Sequence, residues 1–171
     1  MFFARKAALV FPEWKDAFKF AFVRNPWDRV VSLYHHQTQK NPTPFRHWIY
    51  DIVIRDGYPL YRKETWLPTD NTSSTGGTSQ KWKSQTDWLI DDDGSVCVDF
   101  IGRYENLQED FDKACKVIGI KTPKLPHANR SESKAQYHSY YQDEDLIKIV
   151  ADWHKKDIER FGYKFDLIRF I

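Results

Sequence analysis

The sequence predicts an α/β fold with a mainly parallel sheet flanked by helices, forming one domain over residues 1–171. Three observations predict it. Phe18–Tyr34, FKFAFVRNPWDRVVSLY, reads as a buried strand, a tight turn and a helix. Phe100–Ile118 has the same order of strand and then helix. Successive strand–turn–helix units of this kind belong to α/β sheets with helices packed on them. Third, 171 residues with no internal repeat suit a single domain with a real core.

Composition narrows the class. With 41% hydrophobic and 16% aromatic residues the chain is globular, not disordered. A net charge of +2 is too small to argue for nucleic acid by itself. No run of 18 apolar residues offers a transmembrane helix. The opening Met1–Lys6 is not a signal peptide, because its charges follow the apolar residues and no long apolar core comes after. Cys97 and Cys115 each sit on an apolar face and lack metal-site spacing. They read as buried thiols of a reducing compartment, with a single disulfide as the alternative.

In chain order, Phe2–Trp14 is weakly helical until Pro12 interrupts it. Phe18, Phe20, Ala21, Phe22 and Val23 make an apolar run of strand length. Asn25 suits an N-cap, and Pro26 suits the first helical position, where its missing N–H costs nothing. Val30, Val31, Leu33 and Tyr34 give that helix an apolar face, and it ends near Lys40. After the break at Asn41–Pro44, residues Phe45, Trp48, Ile49, Ile52 and Val53 predict a second helix ending before Gly57. Pro59–Lys83 is irregular, and its Ser/Thr/Gly-rich middle reads as a surface loop. Trp88–Ile90 and Val96–Val98 flank Asp91–Gly94 as a hairpin, with Asp99–Ile101 continuing the second strand.

The best-marked helix runs from Asn106 to Ile118, capped by Asn106 and stopped by Gly119. Leu107, Phe111, Ala114, Cys115 and Ile118 form its apolar stripe; Glu109 and Asp110 lie early, Lys113 and Lys116 late, as the helix dipole favours. Pro123–Lys134 is a basic loop, and Asp143–Phe161 predicts one final helix with Ile147, Val150, Ile158 and Phe161 inward.

The junction at Arg24 carries the chemistry. A strand-to-helix turn gathers unpaired N–H groups at the positive end of a helix dipole, which favours an anion. Arg24 adds a bidentate phosphate donor beside it.

Arg24-Asn25-Pro26, Asp28-Arg29 and Ser32 together resemble the 3′-phosphate-binding signature of sulfotransferases that use 3′-phosphoadenosine 5′-phosphosulfate (PAPS). The resemblance implies that Arg24 and Ser32 grip the 3′-phosphate. Phe100–Leu107 resembles the family's later strand-to-helix segment, which gives Tyr104 a place near the adenine; an aromatic ring at a strand end is a sound platform for a purine. Leu125–Ser131 resembles the family's late loop over the nucleotide, with Arg130 as a second phosphate contact and Lys134 a weaker one. Lys156–Tyr163 resembles the C-terminal helix of the family and carries no chemistry. The likeness spans about Phe18–Phe165 and implies a P-loop-NTPase-like sulfotransferase fold, truncated at its N-terminus. It further implies carbohydrate or similar hydroxyl acceptors and no metal. A bacterial member would be cytoplasmic, and a longer eukaryotic one would lie in the Golgi lumen.

One departure is plain. The family's Pro-Lys-x-Gly-Thr-like loop, which cradles the 5′-phosphosulfate, has no match before Phe18, and residues 1–17 contain no glycine. Either the chain is a fragment or the loop has been lost. Ser73–Lys81 has the composition of a phosphate cradle, but it follows the Arg24 motif, the reverse of the family's order. Nor does the sequence single out a base for the acceptor proton. Adjacent His35 and His36 point in different directions on a helix, and neither has a partner at metal-site spacing. Three readings follow: a PAPS-dependent sulfotransferase, an inactive nucleotide-binding remnant, and an unrelated basic–aromatic nucleic-acid module. Seven tryptophans permit the last, but no RNA or DNA motif supports it.

Overall fold

The structure is a computed structural model that describes residue 13 and residues 16–56, 84–91, 93–126 and 137–165. Its elements are β1 (Phe20–Val23), α1 (Pro26–Thr38), α2 (Phe45–Asp56), α3 (Thr86–Leu89), β2 (Phe100–Arg103), α4 (Leu107–Ile118), α5 (Glu144–Trp153) and α6 (Lys155–Phe161). Short 3₁₀ turns lie at Tyr104–Asn106 and Tyr137–Tyr140. The fold is mixed α/β with a small parallel sheet and accompanying helices, as the sequence predicts. The expected helix before Pro12, the Pro59–Lys83 loop and residues 127–134 lie outside the described residues.

The chain divides into two compact units, each made of two sequence segments. The first holds residues 1–25 and 85–133. In it β1 and β2 pair in parallel, with Phe20 opposite Phe100 and Val23 opposite Arg103. Lys19 fixes the register at the entrance. Its carbonyl accepts the amides of Asp99 (2.7 Å) and Phe100 (3.1 Å), and its own amide donates to the Asp99 carboxylate at 2.7 Å. Period-2 alternation puts Phe18, Phe20 and Phe22 on one face of the strand, where Phe20 meets Phe111 of α4. Val23, on the other face, is buried. Gly102 sits opposite Phe22, and its missing side chain admits the Phe22 ring.

Three expectations need correcting in this unit. Trp88 and Leu89 belong to the helical turn α3, not to a strand; the hairpin survives as one antiparallel bridge between Ile90 and Val96, closed over Gly94 at φ +85°. Asn106 makes no side-chain cap to α4; it closes the preceding 3₁₀ turn, and its backbone (φ −117°, ψ 35°) lies outside the extended geometry usual for a capping residue. Ile118 is exposed at the helix end while Ala114 and Cys115 are fully buried. Gly119 does stop the helix, in the left-handed region at φ +81°. Cys97 and Cys115 form no disulfide with each other; Cys115 is buried as expected, whereas Cys97 is only partly so.

The second unit holds residues 26–84 and 134–171. Trp27, Val30 and Val31 of α1, Phe45, Trp48, Ile49 and Ile52 of α2, and Leu146, Ile149 and Val150 of α5 form its core. Polar groups of the large rings are satisfied inside it: Trp27 Nε1 donates to the Ile147 carbonyl at 3.0 Å and Tyr141 Oη to the Trp27 carbonyl at 2.9 Å. Burial raises the Tyr141 hydroxyl well above the ordinary tyrosine range. The expected single helix over Asp143–Phe161 is two helices. The backbone departs from helical geometry at His154 (φ −113°, ψ 24°), which ends α5 and precedes α6.

Candidate functional site

The end of β1 sets the geometry. The parallel ladder closes at Val23–Arg103, so the next backbone groups need other partners. Gln85, just ahead of α3, supplies two. Its Oε1 accepts the Arg24 amide at 2.9 Å, and its Nε2 donates to the Arg24 carbonyl at 2.8 Å. Glu105 supplies the third by accepting the Asn25 amide at 2.5 Å. The Arg24–Asn25 peptide is thus held by side chains from two other segments of its unit. The Asn25 amide, one of the N–H groups of the turn, is engaged by a carboxylate.

The Arg24 side chain extends over the ring of Tyr104, with its guanidinium carbon 4.4 Å from the ring centre. Tyr104 follows β2 directly and remains 47% exposed, which leaves ring surface for a ligand. Two of the residues singled out by sequence are therefore brought together in the first unit. A guanidinium stacked on a ring keeps its in-plane N–H edges for hydrogen bonding, the geometry that suits phosphate oxygens.

Asp110 holds the end of β2 just ahead of Tyr104. Buried at the start of α4, it accepts the Arg103 amide at 2.7 Å and Lys113 Nζ at 2.6 Å. The Lys113 hydrogen bond, then the Arg103 amide, hold its carboxyl below the usual range. Gln108 ties the following stretch back to α4 by accepting the Leu125 amide at 2.8 Å. Arg130 and Lys134, farther along that stretch, lie outside the described residues, as does Ser73–Lys81.

Ser32 is exposed on α1 in the second unit. In the same unit His35 Nε2 is 2.8 Å from Tyr140 Oη, within a cluster of Tyr34, Phe45 and Tyr140 rings, so it serves packing. His36 and His47 are exposed. A separate buried cluster joins Ser84, Asp157 and His154. Ser84 Oγ donates to Asp157 Oδ1, and Asp157 Oδ2 lies 3.6 Å from His154 Nδ1. Burial lowers the His154 pKa, with the nearby Arg29 charge acting in the same direction and Asp157 opposing. Burial likewise lowers Arg29, against the Asp157 charge. Among the described residues no three His, Cys, Asp or Glu side chains converge as metal ligands, and no helix is long and apolar enough to cross a membrane.

The sulfotransferase family model matches residues 11–164. The chain belongs to the sulfotransferase family. Membership brings the general activity of that family, transfer of a sulfuryl group, and with it a nucleotide donor and an acceptor substrate. This sulfotransferase is 37% identical over 109 residues to an uncharacterized protein of Archaeoglobus fulgidus, covering 59% of this chain and 67% of that one. No solved structure matches it. Sequence reasoning missed Gln85 and Glu105. Glu105 is adjacent to Tyr104 and within reach of the same argument, whereas Gln85 is 61 residues from Arg24 and its role emerges only in the fold.

Proposed function

We propose that this protein binds PAPS and transfers its sulfuryl group to a hydroxyl of a carbohydrate-class acceptor. The observation that carries the reading is the Arg24 guanidinium lying on Tyr104 in a member of the sulfotransferase family. Arg24 donates to the 3′-phosphate, joined by the Ser32 hydroxyl, and Tyr104 offers its ring to the adenine. Arg130 adds a second phosphate contact.

In the transfer, the acceptor oxygen attacks sulfur and forms the new S–O bond. The bond from sulfur to the bridging phosphate oxygen breaks. The electron pair leaves with adenosine 3′,5′-bisphosphate, and the acceptor proton passes to a base. Arg24 and its neighbours act at the 3′-phosphate end, so they hold and orient the donor and do not touch the reacting sulfur.

Nucleotide binding without transfer is the second reading, since the Arg24–Tyr104 pair accounts for holding a donor and not for the step at sulfur. Two measurements test both. Arg24→Ala should lose affinity for adenosine 3′,5′-bisphosphate by about 100-fold, since hydrogen bonds to a charged group contribute roughly 1.5–3 kcal/mol each. Unchanged affinity would remove the reading. Sulfate transfer from PAPS to a panel of glycans then separates the enzyme from the inactive binder.

A further inference from the structure

We propose that Gln85 is a positioning residue for Arg24, and that nucleotide recognition depends on its side-chain amide. The inference rests on the reading of Arg24 as the 3′-phosphate ligand.

In a parallel pair alternate residues turn both backbone groups to the neighbouring strand, and the paired stretch ends one residue before Arg24. Gln85 replaces the missing neighbour. Its Oε1 takes the Arg24 amide at 2.9 Å and its Nε2 gives to the Arg24 carbonyl at 2.8 Å, so one planar amide meets both backbone groups of one residue. Among side chains only Asn and Gln carry an acceptor and an N–H₂ donor on one carbonyl carbon. The pairing copies a β-ladder step with a side chain.

Gln85 is itself well held. It immediately precedes α3, and its carbonyl accepts the Trp88 amide at 3.1 Å. Its side chain makes no cap to its own helix, the use such a position ordinarily invites. The amide reaches across 61 residues instead.

The consequence is preorganisation. With both backbone groups bonded and the next amide held by Glu105, the rotation of the Arg24 backbone is fixed. The guanidinium then leaves from a defined point and meets Tyr104 at 4.4 Å. A ligand's phosphate finds the donor already aimed, and the ordering cost is met during folding.

Calorimetry with adenosine 3′,5′-bisphosphate and 5′-AMP tests this on the whole chain and on Gln85→Ala, Gln85→Glu, Arg24→Ala and the Arg24→Ala/Gln85→Ala double variant. Gln85→Ala should bind the bisphosphate about tenfold more weakly, while 5′-AMP affinity stays the same. Gln85→Glu keeps an acceptor for the Arg24 amide but cannot donate to its carbonyl, so it should fall between wild type and Gln85→Ala. It also carries the test should Gln85→Ala not fold. In the Arg24→Ala background, removing Gln85 should cost nothing further, an outcome that a merely structural role would not produce. The proposal is overturned by wild-type affinity in both Gln85 variants, by equal weakening of both nucleotides, or by a further loss in the double variant. It falls alone where wild type prefers the bisphosphate and Arg24→Ala loses that preference but the Gln85 variants do not. It falls together with the reading of Arg24 where wild type shows no preference.

Discussion

The guanidinium carbon of Arg24 stands 4.4 Å from the ring centre of Tyr104, at the point where the two parallel strands end side by side. Strand register produces this meeting. Val23 pairs with Arg103, so the residues that follow them are neighbours at the C-terminal edge of the sheet, where α/β folds place their ligands. The two side chains predict different specificities. Tyr104→Leu should weaken adenosine 3′,5′-bisphosphate and 5′-AMP alike, by about 10-fold, because base stacking on an aromatic is worth ~1–3 kcal/mol. Tyr104→Phe should bind both as wild type does. Parallel titrations of the two nucleotides check this.

Gly102 of β2 lies tight against Phe22 and Asp110. A β-carbon there would sit 2.5 Å from Phe22 Cε1 and 3.0 Å from Asp110 Cβ, and the latter is anchored on α4. Gly102→Ala should therefore destabilise the protein by about 1–3 kcal/mol, the usual cost of overpacking. A lowered urea midpoint with unchanged slope would show it.

Ser84 ends a segment of the second unit by donating to Asp157, a carboxylate with no solvent exposure. Removing that donor leaves less compensation for a buried charge. Ser84→Ala should cost about 1–3 kcal/mol of stability. Ser84→Cys, a much weaker donor, should lie close to Ser84→Ala in a chemical denaturation series.

His154 makes stability depend on pH. Its ring is 1% exposed, and the 3.6 Å separation from Asp157 is too long for a good hydrogen bond, so burial prevails and the folded pKa lies below 6.5. A group whose folded pKa is depressed holds fewer protons folded than unfolded. Its contribution is complete above the unfolded value and is lost as pH falls from about 6.5 through the lowered folded pKa. Thermal melts from pH 8 to pH 5 should show this loss, and His154→Gln should flatten the curve in that window. Asp110, held low by Lys113, contributes to acid sensitivity in the more acidic carboxylate range.

How much of this was legible in the sequence depends on range. β1, α1 and α2 were readable because their signals are local: an apolar run, an Asn-Pro junction, and Phe45, Trp48, Ile49 and Ile52 at helical spacing. Tyr104 at the end of a strand was readable for the same reason. Asn106 misled because it closes a 3₁₀ turn ahead of the helix, and nothing local in the sequence announces that turn. The break at His154 left no proline or glycine to announce it. The burial of Asp110 was hidden because helix-dipole reasoning explains an early acid without needing it inside. Gln85 was hidden most completely, since its meaning lies in a partner far along the chain.

The most direct measurement is calorimetric titration of the whole chain with adenosine 3′,5′-bisphosphate, with 5′-AMP as the control. The account predicts saturable binding of the bisphosphate that is much tighter than binding of 5′-AMP, because the role proposed for Arg24 is to hold the 3′-phosphate. Equal affinities, or no binding of either nucleotide, would contradict it.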